Sequence, residues 1–230
     1  MLLLGIDTSG ESGGVTLAAG DERAFRILGS SPIAGGTFSA QLVPTIARLL
    51  ETHGSKLADI GGFAVASGPG SFTGLRVGLS AIKGLAEILG RPIATVSLLE
   101  ALALALAAGK PGPIAAALDA GRSEVFYGLY QVSTASAEMI AEKLLSQGQF
   151  LEALSVAGTS LFVTSDANIA DLAQRLDGKV QARVVERPDS ATIARIGLRK
   201  LLAGETVSVE AIDANYIRRS DAEIFFKGGK

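Results

Sequence analysis

The sequence predicts an α/β protein of two similar lobes, on three observations. Short apolar runs that end at turns alternate with segments whose apolar residues recur at helical spacing. A pattern of apolar strand, aspartate, polar turn and second strand occurs twice. Ile6-Asp7-Thr8-Ser9 precedes GVTL and Leu118-Asp119-Ala120-Gly121 precedes VFYGLY, an offset of 112 residues (119 − 7) in a chain of 230. Between the copies, Lys110-Pro111-Gly112-Pro113 breaks the pattern. It reads as the linker between an N-terminal lobe, 1–109, and a C-terminal lobe, 110–230, whose tail is placed to pack back on the first.

The first lobe opens as a meander. LLLGID (2–7) is apolar up to its aspartate, TSGESGG is a turn, and GVTLAAG and RAFRILG are further strands joined at Asp21-Glu22. SAQLVPTIARLLETHG has Leu42, Val43, Ile46, Leu49 and Leu50 at helical spacing, with Ser39 as N-cap and Gly54 as stop. IGGFAVAS is a short buried strand, the glycine loop opens a helix to Leu89, PIATVS is a strand, and SLLEALALALAAG is a helix with Ser97 and Glu100 as a capping box. After the second hairpin the elements are less clear. SLFVTS then reads as a strand, NIADLAQRL as a helix, ARVVE as a strand and SATIARIGLRKLLAG as a helix capped by Ser190. Tyr216 and Ile217 are apolar enough to dock the tail, and FFKGGK is placed to fray.

Composition removes several classes of function. Apolar residues make up 48% and charged residues 19%, which is ample for a core; with aromatics at 5%, the filling falls to alanine, leucine and glycine. A formal charge of −2 and the lack of a basic run argue against a chain that grips nucleic acid by itself. The absence of cysteine excludes disulfides, thiolate nucleophiles and cysteine–zinc sites, and suits the cytoplasm. MLLLGIDTSGES lacks a basic n-region, and no apolar run approaches the roughly 20 residues of a bilayer span, so neither a signal peptide nor a membrane segment is expected.

Few catalytic chemistries survive. The single histidine, His53, stands at a helix end, where an exposed imidazole is favoured, and rules out a two-histidine zinc motif. A Ser-His-Asp triad would need the same residue, and no GxSxG turn exists. GPGSFTGLR is not a P-loop; Gly68 and Gly70 fit the dinucleotide pattern, but Thr73 takes its third glycine slot. What remains is a run of backbone N–H groups around Gly68, Gly70 and Ser71 able to host an anion. Asp7, with Thr8 and Ser9 beside it, and Asp119 each end a strand at a turn. Between two lobes they would face a cleft and hold a hydrated Mg²⁺ or a water; otherwise they are turn residues bonding their own backbone. Such a site is poorly equipped for ATP hydrolysis.

Gly70, Gly74 and Gly78 recur every four residues, on a helix whose opposite side (Leu75, Leu79, Ala86, Leu89) is apolar too. Glycine inside a helix costs about 1 kcal/mol against alanine, and close backbone approach is the usual offset. The stripe packs either on the chain's own sheet or on another subunit's helix. The narrow polar stripe of Arg76, Ser80, Lys83 and Glu87 favours the subunit.

LLLGIDTSGES, VASGPGSFTGLRVGLSAIKGLA followed by GRPIATVSLLEALA, and ALDAGRSEVFYGLY together resemble the TsaB (YeaZ) family over most of residues 1–130; the later half is similar in outline, with Tyr216-Ile217-Arg218 near its end. The resemblance implies an actin/Hsp70-like (ASKHA) fold of two duplicated ribonuclease-H-like lobes, each a mixed sheet with helices. It implies a non-catalytic partner in bacterial synthesis of threonylcarbamoyladenosine (t6A) in tRNA. The histidine metal site and the transfer chemistry belong to the larger paralogue, TsaD, joined by a small ATPase, TsaE. This chain would need no cofactor, with weak ATP or ADP and Mg²⁺ in the interlobe cleft as the candidate ligand. It would form a heterodimer with a TsaD-like paralogue, a homodimer in its absence, and meet tRNA only through the complex.

The docking surface is then expected on helices 39–53 and 72–89, through Phe38, Leu42, Ile46, Gly74, Arg76, Gly78, Ile82 and Leu85. The family's His-Ser-Glu before Leu-Leu-Pro is here Phe38-Ser39-Ala40 before Gln41-Leu42-Val43-Pro44, which would make the contact more apolar through Phe38. A different class stays open: a weak ATPase or kinase working through Asp7, the Gly68–Gly74 loop and Asp119. A peptidase finds neither metal ligands nor a nucleophile–base pair.

Overall fold

The computed structural model describes residues 1–106, 111–133, 136–159, 161–176, 180–213 and 217. It contains two sheet-centred units, one of Met1–Ser97 with the segment that starts at Pro188, the other of Leu98–Arg187. In chain order the first unit holds β1 (Leu2–Asp7), β2 (Ser12–Gly20), β3 (Phe25–Ala34), α1 (Phe38–Thr52), β4 (Gly62–Gly68), α2 (Phe72–Leu89) and β5 (Ile93–Ser97). The second holds α3 (Leu98–Ala105), β6 (Gly112–Gly121), β7 (Glu124–Val132), β8 (Ala137–Ser146), α4 (Gln147–Val156), β9 (Leu161–Thr164), α5 (Ala167–Ala173) and β10 (Gln181–Val184). The chain then returns to the first unit with α6 (Ser190–Leu202).

The two sheets share one plan. Their strand orders are β3-β2-β1-β4-β5 and β8-β7-β6-β9-β10. In each, three antiparallel strands form a meander and two more add in parallel to its first strand. The repeated hairpin predicts this duplication, and the family resemblance implies its actin/Hsp70-like form, with Asp7 closing β1 and Asp119 near the end of β6.

The units are not the consecutive halves 1–109 and 110–230. Helix α3 follows β5 but packs on β6, β7 and β8, while α6 follows β10 but packs on β1, β2 and β4. Small residues make room for both: a Cβ on Gly128 would stand 3.1 Å from Leu99 Cβ, one on Gly5 2.5 Å from Ala194 Cβ, and one on Gly197 2.1 Å from Ala64 Cβ.

Cross-strand neighbours share a face, which fixes the layers of the first unit. Leu4, Leu17 and Gly29 lie side by side, and Gly29 faces Leu49 of α1. Gly5, Thr16 and Ser30 lie on the other face, beneath α6, where Thr16 Oγ1 is 2.8 Å from the hydroxyls of both Ser30 and Ser190. The sheet is thus covered by α1 with α2 beside it on one face and by α6 on the other. In the second unit, Ala115, Ala117, Tyr127 and Phe162 meet Phe150 of α4 and Ile169 and Leu172 of α5. Phe150 packs edge-on to Phe162 at 5.5 Å, and burial raises the Tyr127 hydroxyl above the ordinary tyrosine range.

Several boundaries differ from the expected ones. Strand β3 runs on to Ala34; it is an edge strand, so Pro32 costs no ladder hydrogen bond on its free side. The N-cap of α1 is Thr37 rather than Ser39. That of α6 is Asp189, whose carboxylate accepts from the Thr192 N–H at 2.8 Å, leaving Ser190 free to bond Thr16. Strand β8 and helix α4 occupy a stretch where the sequence reading names no element, α4 being capped by Ser146 with Gln149. The expected docking of Tyr216 and fraying of FFKGGK lie outside the described residues.

Candidate functional site

The turn after β1 is built around Asp7. Its Oδ1 accepts the Ser9 N–H at 2.9 Å and the Ser9 hydroxyl at 2.5 Å, and all of Asp7, Thr8 and Ser9 are buried. The turn lies against the start of α2. The Thr8 hydroxyl donates to Gly74 O at 2.8 Å, and Ser9 O accepts the Ser71 N–H at 2.7 Å. Ser71 caps α2 through the Gly74 N–H at 3.2 Å. The amides of Ser71 and Gly74, which an anion would need, are therefore bonded within the chain. Gly68 ends β4 at φ +115° before Pro69, a backbone that glycine tolerates.

The glycine stripe is filled by this same turn. A Cβ on Gly70 would stand 2.3 Å from Ser9 O, on Gly74 2.0 Å from Thr8 O, and on Gly78 2.4 Å from Thr8 Oγ1. The expectation that Gly74 and Gly78 meet another subunit is corrected: the close approach that offsets their helix cost is to the β1–β2 turn. The sequence shows a stripe needing a neighbour, but not that the neighbour lies 66 residues earlier.

Asp119 belongs to the second unit and is exposed. Its Oδ1 accepts the Gly121 N–H at 2.7 Å, repeating the Asp7 turn, while Oδ2 accepts the Asn168 side-chain amide at 2.8 Å. Its own N–H donates to Asp166 Oδ2 at 2.7 Å. Asn168 and Asp166, just after β9, escape sequence reasoning because nothing local links them to β6. Among the described residues, no three His, Cys, Asp or Glu side chains gather as a metal set.

The expected docking residues divide sharply. Phe38, Leu42, Ile46 and Ile82 are core, and Gly74 and Gly78 are buried as well. Phe38 lies beneath Gly13, where a Cβ would come within 2.9 Å of its ring. It is the inner anchor of α1, which corrects the idea that it makes an outside contact more apolar. Arg76 is exposed, with its guanidinium 3.9 Å over the Phe72 ring, and Leu85 is half-buried.

The surface that α1 and α2 turn outward is different. It includes Ala40, Val43 (56% exposed), Thr73, Ser80, Gly84 and Ile88 (82% exposed). A Cβ on Gly84 would meet nothing within 4 Å, so this glycine faces outward. Val43 and Ile88 are thus the large apolar side chains that α1 and α2 leave exposed, beside charged ones such as Arg48, Glu51, Arg76 and Glu87.

Comparison with known proteins places this architecture. A family model described as TsaD, tRNA N6-adenosine threonylcarbamoyltransferase, matches residues 32–225. The tRNA threonylcarbamoyladenosine biosynthesis protein TsaB of Bacillus subtilis is 29% identical over 233 aligned residues, covering 97% of this chain and 96% of that protein. The solved structure of YeaZ from Pseudomonas aeruginosa superposes with a TM-score of 0.72 at 25% identity, covering 93% of this chain and all of that one. The tRNA N6-adenosine threonylcarbamoyltransferase of Methylorubrum populi is 36% identical over 121 residues, 45% of this chain but only 35% of that protein. The chain belongs to the family that this model describes, on the branch whose members are named TsaB or YeaZ.

Proposed function

We propose that the chain is the non-catalytic subunit of a tRNA threonylcarbamoyladenosine synthesis complex. It would dock onto a TsaD-like catalytic paralogue and hold it in its active form. The observation that carries this reading is the end-to-end match to a relative named for that biosynthesis, in a chain with a single histidine. That histidine, His53, has Nδ1 2.8 Å from Leu49 O at the end of α1, engaged with its own helix. The paralogue's histidine metal centre, implied by the family resemblance, has no counterpart here.

Docking uses the outward surface of α1 and α2, centred on Val43 and Ile88, while Phe38, Leu42, Ile46 and Ile82 hold those helices on the sheet. The same surface pairs two copies of the chain when the paralogue is absent. A TsaE-like ATPase joins the assembled pair, and tRNA is met only by the complex. No helix among the described residues is long and apolar enough to cross a membrane.

Reconstitution tests the proposal. The TsaD-like paralogue, the TsaE-like ATPase, threonylcarbamoyl-adenylate and tRNA are combined with and without this chain, and modified adenosine is scored. Modification that needs the chain, with none from the chain alone, is the expected result. Equal modification in its absence would refute the reading.

A further inference from the structure

Four strands end the two sheets: β3 and β5 in the first, β8 and β10 in the second. Three of these edges are blunted. Strand β3 carries Pro32. Strand β5 is met by Val207, whose N–H donates to Ile93 O at 2.9 Å. Strand β10 has only 4 residues. Strand β8 differs: its 10 residues, Ala137–Ser146, contain neither proline nor glycine. Among the described residues no further strand of that sheet lies beyond it. Such an edge offers a row of backbone N–H and C=O groups with which another strand can pair. Met139 and Ile140 stand on it, 60% and 55% exposed.

The register on β7 fixes what this edge presents. Glu138, Ala141 and Lys143 stand opposite Gln131, Leu129 and Tyr127, alternate residues of β7, so all three share one face. Ile140 is the extra residue of a bulge between Met139 and Ala141. With the bulge taken up, Glu138 and Lys143 lie equally far from Ala141, two β7 positions on either side (131 − 129 and 129 − 127). Both are exposed. The strand is therefore charge-complementary to itself: a two-fold axis through Ala141 carries its acid onto its own base. Glu142, the other acid of β8, accepts the Tyr130 hydroxyl within its own sheet.

We propose that β8 pairs edge to edge with β8 of a second copy of this chain, antiparallel and centred on Ala141. Glu138 of each copy then stands directly opposite Lys143 of the other, giving two cross-strand ion pairs. Ile140 of each copy lies beside Ala141 of the other, where a small side chain leaves room for it. A bulge and an edge lysine ordinarily discourage strand addition. Here they select the partner: a foreign strand leaves Lys143 without an opposing acid, and a second copy in this register supplies one. The contact belongs to the second unit, whereas α1 and α2 belong to the first. It therefore goes beyond the docking proposed above and does not depend on it. A paired stretch of this length is short for a stable interface, so the association is weak and concentration-dependent.

Disulfide trapping is the test, because the chain has no cysteine of its own. Opposed residues of an antiparallel pair have Cα atoms about 4.5–5.5 Å apart, within disulfide range. The full-length Ala141→Cys protein, at on the order of 100 μM to suit a weak contact, should form a covalent dimer under mild oxidation. Glu138→Cys alone should not, since two copies of that position lie four residues, or about 14 Å, apart. Mixed with Lys143→Cys it should crosslink. Adding Glu138→Lys to Ala141→Cys turns both ion pairs repulsive and should slow trapping about tenfold; adding Lys143→Glu as well should restore it. Circular dichroism establishes that each variant is folded. A folded Ala141→Cys protein that stays monomeric overturns the inference. So does equal trapping of Glu138→Cys alone, which would mean random collision, and so does a Glu138→Lys loss that Lys143→Glu fails to reverse. Should Ala141→Cys not fold, the mixed pair, at two exposed positions, decides alone.

Discussion

Gly74→Ala should destabilise the protein although alanine is the better helix former. The new Cβ would stand 2.0 Å from Thr8 O, a backbone atom that no rotamer change can move. Reaching 3.4 Å, the near edge of ordinary contact, requires a shift of 1.4 Å (3.4 − 2.0) between α2 and the β1–β2 turn. That shift breaks the Thr8–Gly74 and Ser9–Ser71 hydrogen bonds, now 2.8 and 2.7 Å. Two such bonds contribute about 1 kcal/mol each, and overpacking costs about 1–3 kcal/mol more. The gain in helix propensity returns about 1 kcal/mol. The net loss is about 2–4 kcal/mol, read from urea denaturation midpoints at unchanged slope. Gly84→Ala is the internal control: on the same helix, facing open space, it should gain up to about 1 kcal/mol. A Gly74→Ala protein as stable as wild type would refute the account of the glycine stripe.

Other outcomes follow from the same structure. Val43→Glu and Ile88→Glu should leave stability within about 0.5 kcal/mol, whereas Leu42→Glu or Ile82→Glu should prevent folding, as circular dichroism on heating would show. Ser190→Ala should cost about 1 kcal/mol by removing a hydroxyl from its bond to Thr16, measurable by denaturation. The backbone N–H of Arg23, then that of Ala24, holds the Asp21 carboxyl below 3.8, so an NMR titration should place its midpoint there. Because that value is depressed, its stabilisation is present above the unfolded value and is lost as pH falls through the folded one; Asp21→Asn should remove that acid-side dependence.

Much of the fold is legible in the sequence because strands and turns announce themselves locally. LLLGID and PIAAALD are apolar and close on an aspartate, so the two hairpins, and with them the duplication, can be read directly. AEMIAEKLLS conceals β8 because its alanines, glutamates and leucines suit a helix as well as an edge strand. The crossed placement of α3 and α6 is not legible, since it depends on pairings such as Thr16 with Ser190, 174 residues apart. Six of the eight expected docking residues, Phe38, Leu42, Ile46, Gly74, Gly78 and Ile82, are buried, for a physical reason. Apolar spacing identifies the face of a helix that is buried, and here the sheet and the β1–β2 turn do the burying. Of the large apolar side chains left outside, Val43 reads in the sequence as part of the helical spacing of α1, and Ile88 lies in neither apolar stripe of α2, so spacing does not set them apart as exposed.

The central claim is that the chain acts through the outward surface of α1 and α2 and has no catalytic centre of its own. The most direct measurement is t6A formation in the reconstituted system with the Val43→Glu/Ile88→Glu protein in place of wild type. The account predicts a folded protein that neither binds the TsaD-like paralogue nor supports modification. Wild-type levels of modification from that variant would contradict it.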